Sequence, residues 1–341
     1  MPEMSVIVVN WNGKHFLGTC LGALQRQTFQ DFETILVDNG STDGSVEYVR
    51  AEFPEVILVS LNENCGFTGG NIRGYEAAQG ELIVLLNNDT EAHPQWLEGV
   101  YKASLDYPEA GSFACKMLLF DERKRIDLCG FALTVAGTSI PLGGGELDGP
   151  RWSEPRRVFG ACAGAAAYRR GMIEDIGFLD PDLYLIYEDL DLSFRAQLRG
   201  YECVFVPGAV VYHHLSATSG KYPARKVYFS QRNIELAYIK NMPLELMVRA
   251  FPQRLLYELG GAAYFFKQGA GMAFVKAKLD VMRHLPAVLR KRQKIQRRKK
   301  LTNGQLRGLM EKNWLGLKWK KLKSAWRTRS AGVLRAHQPS S

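Results

Sequence analysis

Glu188, Asp189 and Asp191 put three carboxylates within four residues, just before a segment predicted to be helical. Carboxylates crowded this closely raise one another's pKa or hold a general base in place. Acids are also favourable at a helix N-terminus with no function at all, so the residues alone leave both roles open. A second group, Asn87-Asn88-Asp89-Thr90, closes an apolar run with one carboxylate and two amides. Oxygen ligands of this kind suit Mg²⁺ or Mn²⁺, which bind one or two carboxylates and complete their shell with substrate phosphate oxygens. A plain turn is the alternative. His213 and His214 follow a late strand side by side. Adjacent strand residues point to opposite faces, so at most one of the two reaches a shared site.

Two further loops suit a nucleotide. Asp38-Asn39-Gly40-Ser41-Thr42-Asp43-Gly44 follows an apolar run and leads into a helix. Asp38 can accept from a nucleobase N–H or a ribose hydroxyl, while Ser41, Thr42 or Asp43 equally suit a turn and an N-cap. The stretch 62–74 contains Asn64, Gly66, Gly69, Gly70, Asn71 and Arg73. Its glycines let backbone approach a ligand, and the helix that follows presents an N-terminus favourable for a diphosphate. Arg73 suits either a phosphate or a surface ion pair. The stretch is not a GxGxxG fingerprint and lacks the Lys-Ser/Thr of a P-loop, which disfavours dinucleotide and ATP readings.

These groups need a frame that brings them together. Four short apolar runs at 5–9, 34–37, 56–59 and 82–86 read as parallel strands buried on both faces. Helix-like stretches at 15–26, 44–53 and 69–79 lie between them, an alternation that predicts a doubly wound α/β sheet. Ligands bind beyond the carboxyl ends of strands in such sheets. The polar residues gather there: Asn10 and Asn12, Asp38 and Asn39, Asn62 and Asn64, Asn88 and Asp89. Four strands ending in Asn or Asp at one rim read as one site. A mixed pattern follows from about 107 to 212. It includes a Gly-rich stretch at 139–155 that reads as a mobile lid or a disordered connection, a helix at 190–199 and a strand at 203–206 ending at Pro207-Gly208.

The net charge of +9 over 341 residues hides two opposite parts. Residues 1–240 carry 21 Lys+Arg against 31 Asp+Glu, and residues 241–341 carry 23 against 4. The composition, 46% hydrophobic and 23% charged, excludes a mainly disordered chain and a small disulfide scaffold. Six scattered cysteines without metal-finger spacing read as reduced thiols in a cytoplasmic protein. No stretch reaches the ~20 apolar residues of a membrane span, and the start of the sequence reads as a first strand with no signal peptide.

Together the motifs resemble family 2 glycosyltransferases of the GT-A fold, and within them the rhamnosyltransferase-like branch. The matching stretches are Val8–Gly13, Val37–Gly44, Asn64 through Asn71, Asn87-Asn88-Asp89, Glu188-Asp189-x-Asp191 and His213, in the family's order over about residues 4–220. The resemblance implies a Rossmann-like α/β fold with a mostly parallel central sheet. It also implies inverting transfer of a sugar from a nucleotide-diphosphate donor with Mg²⁺ or Mn²⁺. Carried over residue by residue, Asp189 falls at the catalytic base, and Asp89 and His213 at the metal ligands. Asp38 falls at the acid that recognises base or ribose, with Asn10 and Asn12 in the same pocket. Asn64, Gly66, Gly69, Gly70 and Asn71 fall at the donor loop, with Arg73, Asn87 and Asn88 beside the diphosphate and Glu188 and Asp191 supporting the acceptor. One departure is clear: the first Asp of the metal motif is Asn87 here, which removes a charge.

The chain therefore divides into a catalytic domain over residues 1–240 and a basic, amphipathic helical extension over 241–341. Leu255, Leu259, Ala262 and Phe266 recur at helical spacing, as do Leu315, Trp319, Leu322 and Trp326 among Lys318, Lys320, Lys321, Lys323 and Arg327. Basic amphipathic helices of this type suit an anionic membrane surface, which predicts a peripheral protein on the inner face of the cell membrane. A packed appendage with a solvated charged face is the alternative, and no nucleic-acid module accompanies the charge. The expected acceptor is a lipid-linked or polymeric glycan, and dTDP-rhamnose or a UDP-sugar the expected donor. Two other functions compete. A sugar nucleotidyltransferase would need an early Gly-rich loop bearing Arg or Lys, and a non-catalytic nucleotide- or glycan-binding protein would not need Asp89, Asp189 and His213 together.

Overall fold

A computed structural model describes residues 1–214, 224–313 and 315–316. The first strands form where apolar residues stand at consecutive positions, because both faces of each strand are covered. In β1 (Met4–Asn10), Val6 and Val8 face one layer of helices while Ile7 faces the other. After α1 (Lys14–Gln25), β2 (Phe32–Asp38) does the same with Leu36 against Ile35 and Val37. Next come α2 (Ser45–Glu52), β3 (Ile57–Ser60), α3 (Gly66–Ala77) and β4 (Leu82–Asn87). β3 departs from expectation: it is the edge of the sheet and half exposed, so one side of its Ile57–Ser60 run meets solvent.

The remaining strands and helices extend and cover the sheet. In chain order they are β5 (Thr90–Ala92), α4 (Trp96–Asp106), β6 (Ala110–Leu119), β7 (Ile126–Leu128), β8 (Phe131–Leu133), β9 (Ser139–Pro141), β10 (Arg156–Val158), β11 (Ala165–Arg169), α5 (Arg170–Ile176), α6 (Glu188–Arg199) and β12 (Glu202–His213). The main sheet runs β10-β12-β6-β11-β4-β1-β2-β3. β3, β2, β1, β4, β6 and β12 point one way, and β11 and β10 the other. The mostly parallel α/β sheet expected from the sequence is therefore present, with β11 inserted antiparallel between β4 and β6.

Register decides what meets at the rim. Asn10 pairs with Asp38 across β1 and β2, and Val9 with Asn87 across β1 and β4, so the strands end level. β12 does not stop at Pro207-Gly208 as expected. A bulge between Val206 and Val210 absorbs the proline, which has no N–H for the ladder, and the strand continues to His213. Antiparallel β5 then sets His213 opposite Thr90. The stretch 139–155 is ordered rather than a loose connection. It carries β9 and a short 3-10 turn at Pro150–Trp152, is anchored by buried Trp152, and holds Asp148 against Lys116 at 2.8 Å.

The helices beyond the sheet are α7 (Ala224–Asn241), α8 (Leu244–Arg249), α9 (Phe251–Lys267), α10 (Gly271–Arg297) and α11 (Asn303–Gly308). α7 straddles position 240 and packs against both α6 and α10. Part of the basic run 290–300 points inward: Lys291 pairs with Asp180 and Asp182, Arg292 donates to the carbonyls of Ile239 and Met242, and Arg298 pairs with Asp175. The Trp319, Leu322 and Trp326 stripe with its lysines lies outside the described residues. No helix among the described residues is long and apolar enough to cross a membrane.

Candidate active site

A cavity of about 320 Å³ opens at the carboxyl rim of the sheet. Asn87 at the end of β4, Gly164 at the start of β11, and Glu188 and Asp189 at the start of α6 all line it, with Phe67, Phe131 and Ile186 supplying apolar wall. Asp189 accepts hydrogen bonds from the backbone N–H groups of Leu190 (2.7 Å) and Ala163 (3.3 Å). Burial nonetheless raises its pKa above the ordinary range. Burial, followed by the charge of Asp189, pushes Glu188 up to about 8. Glu188 Oε2 is buried with no hydrogen-bond partner among the described residues. Among the described residues no ion pair to either carboxylate is formed, so burial and mutual repulsion both favour the protonated form of Glu188.

The second chemical group stands across the rim. His213 Nε2 faces Asp89 Oδ1 at 3.4 Å, and His213 Nδ1 is 2.8 Å from Asp127 Oδ2. Burial opposes the charged imidazolium, but the bonds to Asp127 and Asp89 outweigh it and push the pKa up to about 9. Geometrically this is a carboxylate holding one imidazole nitrogen while the other faces a second carboxylate, the arrangement that orients a histidine ligand. Asp89 and His213 offer a hard oxygen and an imidazole nitrogen, a donor set that fits a divalent ion. Among the described residues no group of three or more His, Cys, Asp or Glu side chains is arranged to hold a metal alone. The remaining oxygens would have to come from a ligand. His214 points away and stacks on Phe120 at 3.4 Å.

The rim loops are tied together by amides. Asn10 Nδ2 donates to Asp38 Oδ1 (3.1 Å), Asn88 Nδ2 donates to Asn10 Oδ1 (2.8 Å), and Asn12 Oδ1 accepts from the Thr42 N–H (2.8 Å). Asp38 is buried, and its other oxygen accepts from the Ser41 N–H at 2.9 Å. Asn39 holds the next loop, accepting from the Cys65 N–H and donating to the Gly66 carbonyl, both at 2.9 Å. Asn64 Oδ1 takes the Gly66 N–H at 2.8 Å.

Residues 5–177 match Glycosyl transferase family 2. The chain belongs to this family. Among curated relatives, it is 28% identical over 232 residues to the O-antigen biosynthesis protein RfbC of Myxococcus xanthus, covering 64% of this chain and 18% of that one. It is 25% identical over 249 residues to the N-acetylglucosaminyl-diphospho-decaprenol L-rhamnosyltransferase of Mycobacterium tuberculosis, covering 65% of this chain and 79% of the other. This chain thus spans a minor part of the first relative and most of the second. Its fold is that of GT-A glycosyltransferases. GalNAc-T7, solved with UDP, GalNAc and Mn²⁺, superposes with a TM-score of 0.56 at 17% identity, over 70% of this chain and 48% of that one. The mannosyltransferase PcManGT of Pyrobaculum calidifontis, solved with GDP-Man and Mn²⁺, gives 0.51 at 16% identity, over 82% and 87%.

Not every residue that carries the family 2 resemblance faces the cavity. Asp191 is wholly buried on the far side of α6, bonded to Arg195 (2.9 Å), Lys240 (2.8 Å) and Asn241 (2.7 Å). Two residues along a helix is a turn of about 200°, which separates it from Asp189. The expected acceptor-supporting role of Asp191 gives way to a structural one. The glycines also differ from expectation. α3 begins at Gly66 rather than 69, and a Cβ on Gly70 would lie 2.7 Å from Val9. Gly70 and Gly74 permit close packing of α3 on the sheet, while Gly66 admits the Tyr184 carbonyl. Asn71 is buried and donates within α3 to the Phe67 carbonyl, and a Cβ on Gly69 would meet Cys65. Arg73 forms the surface alternative, an exposed pair with Glu76 at 2.9 Å.

Three contributors escaped the sequence reading of this family 2 site. Asp127 holds His213, but it precedes Leu128 in a three-residue strand with no motif around it. Tyr184, Ile186 and Tyr187 all have positive φ, strained for residues with side chains, in the turn that delivers Glu188 and Asp189. Buried Asn233 holds that turn, its Nδ2 lying within 2.6, 2.7 and 2.8 Å of the Leu183, Leu185 and Ile186 carbonyls. Tyr184 couples the turn to the donor-type loop: its carbonyl accepts from the Thr68 N–H at 3.0 Å, and its hydroxyl donates to Asn64 at 3.3 Å.

Proposed function

We propose that the chain is an inverting glycosyltransferase that moves a sugar from a nucleotide-diphosphate donor to a hydroxyl of a lipid-linked or polymeric glycan. The observation that carries this reading is one cavity lined by both Asp189 and Asn87, the latter two residues before Asp89. Asp189 accepts the proton of the acceptor hydroxyl as that oxygen bonds to the sugar's anomeric carbon. The carbon–oxygen bond to the diphosphate breaks on the opposite face, and the nucleoside diphosphate leaves with the electron pair. Asp89 and His213 would hold a divalent cation, Mg²⁺ or Mn²⁺, which supplies charge stabilisation to the diphosphate oxygens when bound. Asp127 fixes the imidazole that faces it. Asn10, Asn12 and Asp38 order the loop against which a nucleoside would rest. The UDP and GalNAc bound by GalNAc-T7, the GDP-Man bound by PcManGT and the name of the mycobacterial rhamnosyltransferase support this donor class, with dTDP-rhamnose or a UDP-sugar favoured.

A panel of UDP-, dTDP- and GDP-sugars, with and without Mn²⁺, tests the reading by thermal stabilisation and product formation. Asp189→Asn is expected to lower turnover by about 10²–10⁴-fold while stabilisation by donor persists. Substantial turnover by that variant would remove Asp189 as the base.

A further inference from the structure

The first two turns of α9 are built inside out, whereas Ala262 and Phe265 further along pack inward. Its inward face carries charge: Arg254, only 6% exposed, pairs with Glu258 at 2.8 Å and with Glu235, and Lys278 of α10 joins both acids at 2.7 and 2.6 Å. Its outward face carries Phe251, Leu255, Leu256, Leu259 and Phe266, with Leu259 60% and Phe266 57% exposed. Water facing such a helix would impose the reverse distribution. α10 continues the surface with Met272 (76% exposed), Leu279 and Met282 (69%). Of the large apolar side chains exposed on the described residues, most belong to α8, α9 and α10.

The charges on this face have one sign. Lys267, Lys276, Arg283 and Arg290 are exposed. The acids between 251 and 290 are turned inward, Glu258 to Arg254 and Lys278, and Asp280 to Arg232 at 2.6 Å. Two copies placed face to face would bring like charges together with no acid to meet them. Anionic lipid headgroups above an acyl layer complement both the cations and the leucines. The helix also borders the cavity wall through its inward side. Arg254 donates to the Ala136 carbonyl at 3.0 Å, in the turn joining β8 and β9, and Phe131 of β8 and Ser139 and Pro141 of β9 line the cavity.

We propose that the outward face of α9 and α10 lies on an anionic lipid bilayer, with Leu259, Phe266 and Met282 in the interfacial layer and Lys267, Arg283 and Arg290 on headgroups. The site would then receive an acceptor whose lipid portion stays in that bilayer, an inference that rests on the glycosyl-transfer reading above. The surface assigned is this outward face, which takes in Arg290 at the start of the basic run but not Lys291, Arg292 and Arg298, which are engaged internally.

Full-length protein should co-sediment with phosphatidylcholine vesicles containing phosphatidylglycerol and much less with phosphatidylcholine alone. Leu259→Ser with Phe266→Ser should weaken binding by about tenfold or more. Arg283→Gln with Arg290→Gln should weaken it less and reduce its salt dependence. Leu105→Ser, at an exposed leucine on α4, should leave binding unchanged. Thermal melts and hydrolysis of the preferred sugar nucleotide in detergent-free buffer, both expected to be unchanged, show that the variants are folded and separate this test from that of the chemistry. Three results would overturn the proposal: no vesicle binding by the parent protein, undiminished binding by the Leu259/Phe266 variant, or a parent dimer that this variant dissociates. Loss of hydrolysis in Asp189→Asn bears only on the chemical reading.

Discussion

Two regions bury carboxylates in opposite ways. At the cavity, Glu188 and Asp189 sit together with no ion pair among the described residues, and burial holds both pKa values above the ordinary range. At the junction of α6, α7 and α10, the acids are matched. Asp191 meets Arg195 and Lys240, Asp180 meets Lys240 and Lys291, and Glu235 meets Arg254 and Lys278. Burial opposes ionisation there too, but Lys240 and its neighbours hold Asp180 and Asp191 below the usual carboxylate range. Unmatched buried charge costs stability and persists where chemistry uses it. Matched buried charge fixes how elements dock. Asp189 and Asp191, two residues apart on one helix, fall on opposite sides of this division.

The comparison is broken most directly by exchanging the two aspartates' fates. Asp189→Asn should lose turnover as stated above with its melting temperature unchanged or raised. Asp191→Asn should do the reverse, losing about 3–5 kcal/mol of stability because buried Arg195 loses its carboxylate partner and Lys240 one of its two. Equilibrium denaturation with activity measured on the folded fraction distinguishes them. Equal losses of stability in both variants would erase the distinction.

Asn233→Ala tests whether the matched region supports the unmatched one. It removes the amide donor shared by the carbonyls of Leu183, Leu185 and Ile186, and about 1–3 kcal/mol of stability should go with it. If Asn233 also positions the turn that presents Asp189, turnover should fall while the donor's KM stays near that of the parent. A stability loss with unchanged turnover would confine Asn233 to folding.

Glu188→Gln gives the smallest effect and the clearest sign. A carboxyl whose folded pKa lies near 8 rather than 4.5 contributes full stability at low pH and loses it as the pH rises through that interval. The amide variant does not carry that loss. Its melting temperature should match the parent's near pH 5 and exceed it near pH 8, by on the order of 3 °C. A difference that does not grow with pH would show that Glu188 ionises normally.

Much of the frame was legible because it follows local rules. Consecutive β-branched residues at 5–9 and 34–37 must be covered on both faces, and such strands alternate with helices, so the parallel sheet and the position of its rim were predictable. Asn10, Asp38 and Asn87 were legible as rim residues for the same reason. Asp191 and Arg195 were legible as a pair because four residues make one helical turn. The packing role of Gly70 was not legible, because a missing side chain serves a sheet as well as a ligand and only the fold brings Val9 to it.

The sequence by itself determined which residues carry charge and which strands are buried, since both depend on residue type and short-range periodicity. Tertiary structure alone decided what those residues face. Asp127 reaches His213 across 86 positions, Asn233 reaches back about 50 to hold the turn at Ile186, and α9 turns its arginine in and its leucines out. A hydrophobic pattern states that a helix has two faces, but the neighbours it packs against determine which face is inside.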